Sequence, residues 1–511
     1  MNKRLFLSLA TLPLLGTAGQ AEAAKPQDRP NIILFLVDDM GWQDTSLPFW
    51  KEKTHYNEVY ETPNMERLAR QGMMFTQAYA SSISSPSRCS LYTGMNAGRH
   101  RVTNWTYPKN KSTDQQSDVL ELPDWNVNGI CEVAGIEHTY QVTSMAQILK
   151  DNGYHTIHCG KAHWGAVDTP GENPYHFGFE VNIAGHAGGG LASYLGEANF
   201  GNRTDGKPNP WFAVPGLDKY WGKDIFISEA LTQEATKALD KAQQYDQPFF
   251  LYMSHYAIHV PIDMRFYQKY IDKGLGEKEA AYAALIEGMD KSLGDIMDYL
   301  EKNQLADNTI IIFMSDNGGL AAEPEWRDGP KDTQNYPLNS GKGSMYEGGI
   351  REPMIVRWPG EVKAGSRCDD YLMIEDFYPT ILEMAGVKKY TTVNPIDGIS
   401  FMPLLKQTGH TPKSRSLVWN FPNIWGNDGA GINLNCAIRK DEWKLVYYYE
   451  TGKKELFNIP NDIGEKDNQA ARHPDIVKRL SKELGEYLRK VNAQRPSFKN
   501  THQPCPWPDE I

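Results

Sequence analysis

The sequence predicts an α/β protein: a large, mixed but mostly parallel sheet sandwiched by helices, then a smaller C-terminal antiparallel sheet with one helix packed on it. Three observations predict this. Apolar runs of strand length alternate with segments of helical period. Several of those runs are apolar throughout rather than at every second residue, as strands buried on both faces are. Beyond about residue 410 the pattern changes to short strands separated by turns.

Asn31-Ile-Ile-Leu-Phe-Leu-Val37 is the first apolar strand. Thr62-Pro63 opens a helix that stops before Gly72, since proline is tolerated in a first turn and glycine ends one. Thr143 or Ser144 caps the next helix, which stops at Gly153, and residues 154–159 form a second strand. Residues 248–253 form a third. The segment 277–302 carries Leu285, Met289, Leu293, Ile296 and Leu300 at helical spacing and feeds directly into the strand 309–314. After Asp397-Gly398-Ile399-Ser400 and Pro412 come short strands at 416–420, 436–439, 443–449 and 455–459, then an amphipathic helix at 475–490. We therefore expect a large domain at 24–410 and a smaller one at 411–511.

Residues 1–23 have the three regions of a secretory signal peptide: Lys3 and Arg4, an apolar stretch at 5–15, and Ala21-Glu22-Ala23. This predicts export to the periplasm or medium. No later stretch has the length of a transmembrane helix. Without the leader the chain carries 51 basic against 63 acidic side chains, a net charge of −12, which argues against nucleic acid as a partner. Six cysteines in so long a chain make no disulfide framework, although export permits one or two bonds.

Two strands end in acids. Asp38-Asp39 follow the first run and, after Ser315, Asp316-Asn317 follow the run at 309–314. Ligands gather at the carboxyl ends of parallel strands, so these ends can place three carboxylates and an amide oxygen around one point. Three converging carboxylates do not stay ionised without a cation. All four donors are hard oxygens, which favours Ca²⁺, or less so Mg²⁺, over zinc. Taken singly, each pair also reads as a polar turn closing a strand.

Ser84-Ser85-Pro86-Ser87-Arg88-Cys89-Ser90-Leu91-Tyr92-Thr93-Gly94 puts Ser84 at a helix N-terminus that favours an anion, with Arg88 one turn on as a bidentate donor. The stretch resembles the signature by which type I sulfatases, of the alkaline phosphatase superfamily, mark the residue that becomes formylglycine. That signature is Cys or Ser, any residue, Pro-Ser-Arg, three residues and Thr-Gly; its first position here is Ser84, the serine type. Gly160-Lys161-Ala162-His163 resembles the family's Gly-Lys-x-His segment, and His259-Val260-Pro261 its His-x-Pro. The segment from Gly341-Lys342-Gly343 to Pro353 resembles its Lys-Gly-x-x-x-Glu-Gly-Gly-x-Arg-x-Pro block, with Glu352 where a small apolar residue is commoner. The resemblance runs from about Pro30 to Asn468. His155, His158 and His255 match no motif and read as core residues.

The resemblance implies an alkaline-phosphatase-like fold and an exported bacterial carbohydrate sulfatase. A maturase for serine-type sulfatases would oxidise Ser84 to formylglycine, and Asp38, Asp39, Ser84, Asp316 and Asn317 would hold the Ca²⁺. Arg88, Lys161 and Lys342 would neutralise the sulfate oxygens, His259 would protonate the departing alcohol, and His163 would take a proton from residue 84. The loops at 99–140 and 185–221 offer Trp105, Tyr107, Trp125, His186, Tyr194 and Trp211 to a sulfated sugar, with Trp105, His186 and Trp211 as the candidate contacts. Two other readings stand beside this one: a phosphonate or phosphodiester hydrolase of the same superfamily, and a non-catalytic exported glycan-binding protein.

Overall fold

The computed structural model describes residues 29–262, 267–321 and 325–511. The expected leader at 1–23 lies outside them. Nine strands form one sheet, whose main path runs Ser366–Cys368, Met73–Tyr79, Arg351–Arg357, Thr309–Ser315, Asn31–Val37, Phe249–Ser254, His155–Gly160, Val181–Ile183, with Leu372–Met373 also pairing with Met73–Tyr79. From Thr309–Ser315 to Val181–Ile183 every pairing is parallel, and Arg351–Arg357 is antiparallel to both of its neighbours. The sheet is therefore mixed and mostly parallel, as the apolar runs predict.

Asn31–Val37 lies in the middle and both its faces are buried. Ile33, Phe35 and Val37 face a core completed by the helices Pro63–Gln71, Ile227–Ala242 and Glu277–Lys302. Ile32, Leu34 and Leu36 face a second core under the helices Ser84–Thr93, Met145–Asp151 and Phe377–Met384. Two buried faces leave no room for polar alternation, hence the unbroken apolar run.

The helix starts are more varied than the sequence suggests. Ser144 caps Met145–Asp151, its hydroxyl accepting from the Gln147 N–H at 3.1 Å. Thr62 does not cap Pro63–Gln71. Instead Asp290, on the long helix, accepts from the N–H groups of Asn64 at 3.0 Å and Met65 at 2.8 Å. A carboxylate there meets both the orphan donors and the positive end of the helix dipole.

The second sheet has four antiparallel strands, Leu417–Phe421, Asn435–Lys440, Trp443–Tyr448 and Lys454–Asn458, paired in chain order. Pro474–Lys490 covers it with Leu480, Leu484 and Leu488. A short strand, Ser497–Phe498, then pairs with Leu120–Glu121 and ties the chain's end to the loop at 99–140. Where the two sheets meet, Glu347 is fully buried with Lys444 Nζ at 3.0 Å, Arg351 at 3.2 Å and the Tyr79 hydroxyl at 2.7 Å. Lys444 also reaches Glu465 at 2.7 Å. All six cysteines are free and buried, and no described helix is long and apolar enough to cross a membrane.

Candidate active site

Strand register assembles the site. Val37 pairs with Ser315, so the residues that follow, Asp38-Asp39 and Asp316-Asn317, emerge side by side. Carboxylate oxygens of Asp38, Asp39 and Asp316 all lie within 4.8 Å of one another, and all three residues are fully buried. Asp39 takes a left-handed conformation with φ 60°, held by its N–H on Asp316 Oδ1 at 3.3 Å and by the Tyr282 hydroxyl on its carbonyl at 3.2 Å. Strain kept in place by its surroundings is characteristic of functional positions.

Each carboxylate gives one oxygen to a cation on the perimeter. Asp38 Oδ2 meets Lys161 Nζ at 2.6 Å, Asp39 Oδ2 meets Lys342 Nζ at 2.8 Å, and Asp316 Oδ2 meets Arg88 Nε at 2.7 Å. Burial first, and the Asp316 charge second, push Asp38 well above the ordinary carboxylate range. Burial also opposes ionisation of Asp39, but Lys342, His259 and Lys161 outweigh it and hold its carboxyl below its usual value. Oxygen donors this close, one of them strained toward neutrality, fit a hard divalent cation.

Ser84 begins the helix Ser84–Thr93 one residue after its N-cap, Ile83, and is only 4 % exposed. Its hydroxyl contacts Asp38 Oδ1 at 3.1 Å, Asn317 Oδ1 at 3.3 Å and Lys161 Nζ at 3.0 Å. The rest of the motif builds this placement. Ser87 Oγ bonds the carbonyls of Ser81 and Ile83, each at 3.1 Å, folding the approach to the helix, and Gly94 closes it in the left-handed region.

Arg88 departs from the expected bidentate grip on an anion. Its Nε is taken by Asp316, and its Nη1 by Ser254 Oγ at 2.6 Å; only Nη2, which makes no hydrogen bond to protein, is left, 3.9 Å from Asp38 Oδ1. Ser254 was not legible as a site residue; it ends the strand beside Gly160, whose successor is Lys161.

His163 is bonded to the residue that follows Ser84. Its Nε2 lies 3.0 Å from both Ser85 Oγ and the Thr106 carbonyl. A carbonyl only accepts, so Nε2 carries the hydrogen and Nδ1, buried without a partner, carries the lone pair. Burial, then Lys161 and Arg88, hold its pKa well below the ordinary value. By the same logic His259 Nδ1 donates to the Val260 carbonyl at 2.7 Å, leaving Nε2 toward the carboxylates, 3.8 Å from Asp39 Oδ2.

The loop residues divide. Trp125 is buried, with its indole N–H on Asp114 Oδ2 at 2.9 Å, and Tyr194 is buried, with its hydroxyl on the carbonyls of Tyr256 and His259; both close loops onto the core rather than face a sugar. Trp211 is 57 % exposed and stacks on Tyr107 at 4.9 Å, joining the two loops. Trp105 is half-buried, one residue before the Thr106 that holds His163. His186 takes the Gly188 N–H on Nδ1 at 3.1 Å, and its carbonyl lies 3.4 Å from the His163 N–H. His155 and His255 are bonded to Glu180 and Ser292, and His158 is packed among aromatic rings, as core residues are. Trp425, from the second sheet's loops, stands with its ring 5.6 Å from Lys342 Nζ; no motif marked it.

A family model described as Sulfatase matches residues 30–387, and one described as N-sulphoglucosamine sulphohydrolase, C-terminal, matches residues 340–494. The chain is 29 % identical to a sulfatase of Formosa agariphila over 99 % of this chain and 97 % of that one. It is 31 % identical to the N-acetylgalactosamine-6-sulfatase of Homo sapiens, covering 94 % and 89 % of the two chains. Among solved structures, Ps i-CgsB in complex with k-i-k-neocarrahexaose aligns with TM-score 0.71 at 27 % identity, covering 90 % of this chain and 93 % of that one. The phosphonate monoester hydrolase of Agrobacterium radiobacter aligns at TM-score 0.60 and 19 % identity over 91 % and 95 % of the two chains, a likeness of fold. The strand-end acids, the helix Ser84–Thr93 and the perimeter cations lie within the matched residues: the chain belongs to the sulfatase family and is an enzyme of that alkaline-phosphatase-like fold.

Proposed function

We propose that the protein hydrolyses sulfate esters of carbohydrates, using formylglycine formed from Ser84 and one bound Ca²⁺. The observation that carries this is the placement of Ser84 Oγ, within 3.3 Å of Asp38, Asn317 and Lys161 at the start of a buried helix. Ser85 and Ser87 point elsewhere, to His163 and to the Ser81 carbonyl. Among the described residues no histidine is hydrogen-bonded to the Ser84 hydroxyl, so plain serine would be a poor nucleophile here.

Once a water has added to its aldehyde, formylglycine would offer two hydroxyls on one carbon, and a bound Ca²⁺ would draw electron density from the sulfate. The ligands are Asp38, Asp39, Asp316, Asn317 and residue 84. Lys161, on Asp38 and Ser84, Arg88 Nη2, near Asp38, and Lys342, on Asp39, would neutralise the sulfate oxygens. His163 Nδ1 accepts a proton from residue 84. His259 Nε2 donates one to the departing alcohol: burial and then Lys342 push this ring down to about 3, and an anionic sulfate against Lys342 would offset the second of these causes and favour the protonated form.

A sugar substrate is supported by the relative that acts as an N-acetylgalactosamine-6-sulfatase and by the neighbour bound to a neocarrahexaose. Export through the leader at 1–23 and a maturase as partner belong to the same reading. Mass spectrometry of the peptide spanning Ser84 from active native enzyme tests it. A residue lacking two hydrogens at position 84 is expected; fully active enzyme with plain serine overturns the reading.

A further inference from the structure

Four glycines of the segment Gly185-His186-Ala187-Gly188-Gly189-Gly190 each lie against a histidine ring. A Cβ built on Gly185 would stand 2.5 Å from His158 Cε1, and on Gly188 2.3 Å from His186 Cε1. On Gly189 it would stand 2.2 Å from Cε1 and 2.6 Å from Nδ1 of His163, and on Gly190 3.0 Å from Cε1 of His259. None of the four has φ in the left-handed region. Their lack of a side chain answers to the rings and not to the turn.

The last two rings are those given proton transfers above. His163 is fixed on its Nε2 side by Ser85 and Thr106, and His259 on its Nδ1 side by Val260. Each ring is thus bonded at one nitrogen and bounded by glycine backbone, leaving the other nitrogen for chemistry. The neighbouring anchor is firm: the His163 N–H faces the His186 carbonyl, and the Ala192 N–H bonds Phe212 at 2.8 Å just past the glycines.

We infer that Gly189 and Gly190 are positioning residues of the sulfatase reaction, a strap that holds the rings of His163 and His259 by direct backbone contact. The inference rests on the proton-transfer roles assigned to those histidines. A methyl group at 189 would meet Cε1, Nε2 and Nδ1 of His163 at 2.2, 2.4 and 2.6 Å, so the ring must give way and loosen its bonds to Ser85 and Thr106. At 190 the required shift is a few tenths of an ångström, which turns Nε2 off the leaving oxygen. Misplacement on that scale costs rate rather than binding.

Double-mutant cycles on purified, matured enzyme test this. Gly189→Ala should lower kcat on a sulfated sugar by at least about tenfold, with KM changed less than about threefold, and should cost less than about twofold once His163→Ala is present. Gly190→Ala should behave the same way toward His259→Ala. Equal losses in both backgrounds, or no loss in the wild type, overturn the strap. Should Gly189→Ala fold poorly, the double variant, which has no ring to meet, should recover the wild-type melting temperature; failure to recover it also overturns the inference. Single His163→Ala and His259→Ala variants with wild-type kcat would instead remove the proton-transfer reading on which the strap rests.

Discussion

The protein buries two clusters of charge, and they are built in opposite ways. At the junction of the sheets Lys444 sits between Glu347 and Glu465, with Arg351 and Arg439 on the far side of Glu347 at 3.2 and 3.7 Å. Cation and carboxylate alternate. At the strand ends the carboxylates of Asp38, Asp39 and Asp316 face one another while Lys161, Lys342 and Arg88 stand outside them. Both sets hold as many cations as carboxylates or more, so net charge does not distinguish them. Arrangement does. A cluster with a cation between its carboxylates closes on itself where the two sheets meet; one with its carboxylates at the centre calls for a further positive charge.

The largest test of this difference removes a central ligand. Asp39→Ala should lower turnover by at least about a thousandfold, because the cation supplies several kcal/mol of the barrier reduction. Elemental analysis should find calcium in the wild type and none in the variant. Stoichiometric zinc in the wild type, or a near-normal rate in the variant, would refute the ligand assignment.

At the junction the effect should fall on stability instead. Lys444→Met leaves Glu347 and Glu465 buried without the cation between them, a loss of about 3–5 kcal/mol in urea unfolding. Calcium content per folded molecule should stay unchanged. A variant as stable as the wild type would mean that the cluster contributes nothing to holding the sheets together.

Acid should separate the regions next. His100, His158, His255 and His259, all before the second sheet in the chain, are pushed down to about 3, chiefly by burial, and His186 to about 4. A histidine whose folded pKa is depressed binds its proton in the unfolded chain, so its contribution is present above about pH 6.5 and is lost as pH falls toward 3. His255→Gln should reduce the stability lost between pH 7 and pH 5 by about 2 kcal/mol. An identical pH dependence in variant and wild type would show that His255 does not carry this linkage.

The smallest effect concerns substrate. Trp211→Ala removes an exposed ring stacked on Tyr107 and should raise KM for a sulfated sugar severalfold, about 1 kcal/mol, leaving kcat within twofold. An unchanged KM on a panel of sulfated saccharides would take Trp211 out of the binding surface.

Much of this was legible in the sequence, for a physical reason. Strands buried on both faces, such as Asn31–Val37 and Thr309–Ser315, must be apolar throughout, so the acids at their ends stand out. The Ser84 motif is contiguous because one helix and its approach loop carry it. What escaped depends on contacts between distant segments. The capping of Pro63–Gln71 by Asp290 spans 225 residues to Met65. Tyr194 and Trp125 read as sugar platforms because composition does not say which way a ring turns. The glycines at 189 and 190 read only as part of the loop at 185–221, since the need for a missing side chain shows only beside the ring it would strike.

The burial of Ser84 has a consequence for the order of events in synthesis. Asn317, which contacts Ser84, is added 233 residues after Asp38-facing Ser84 leaves the ribosome's active centre. At roughly 5–20 residues per second, that interval is about ten to fifty seconds. Until the strand Thr309–Ser315 takes its place, Arg88 has no Asp316 to hold and the helix lacks one of its anchors at the sheet. Any enzyme that alters the Ser84 side chain therefore works against a clock set by translation, and slowing the emergence of residues 309–317 should widen its opportunity.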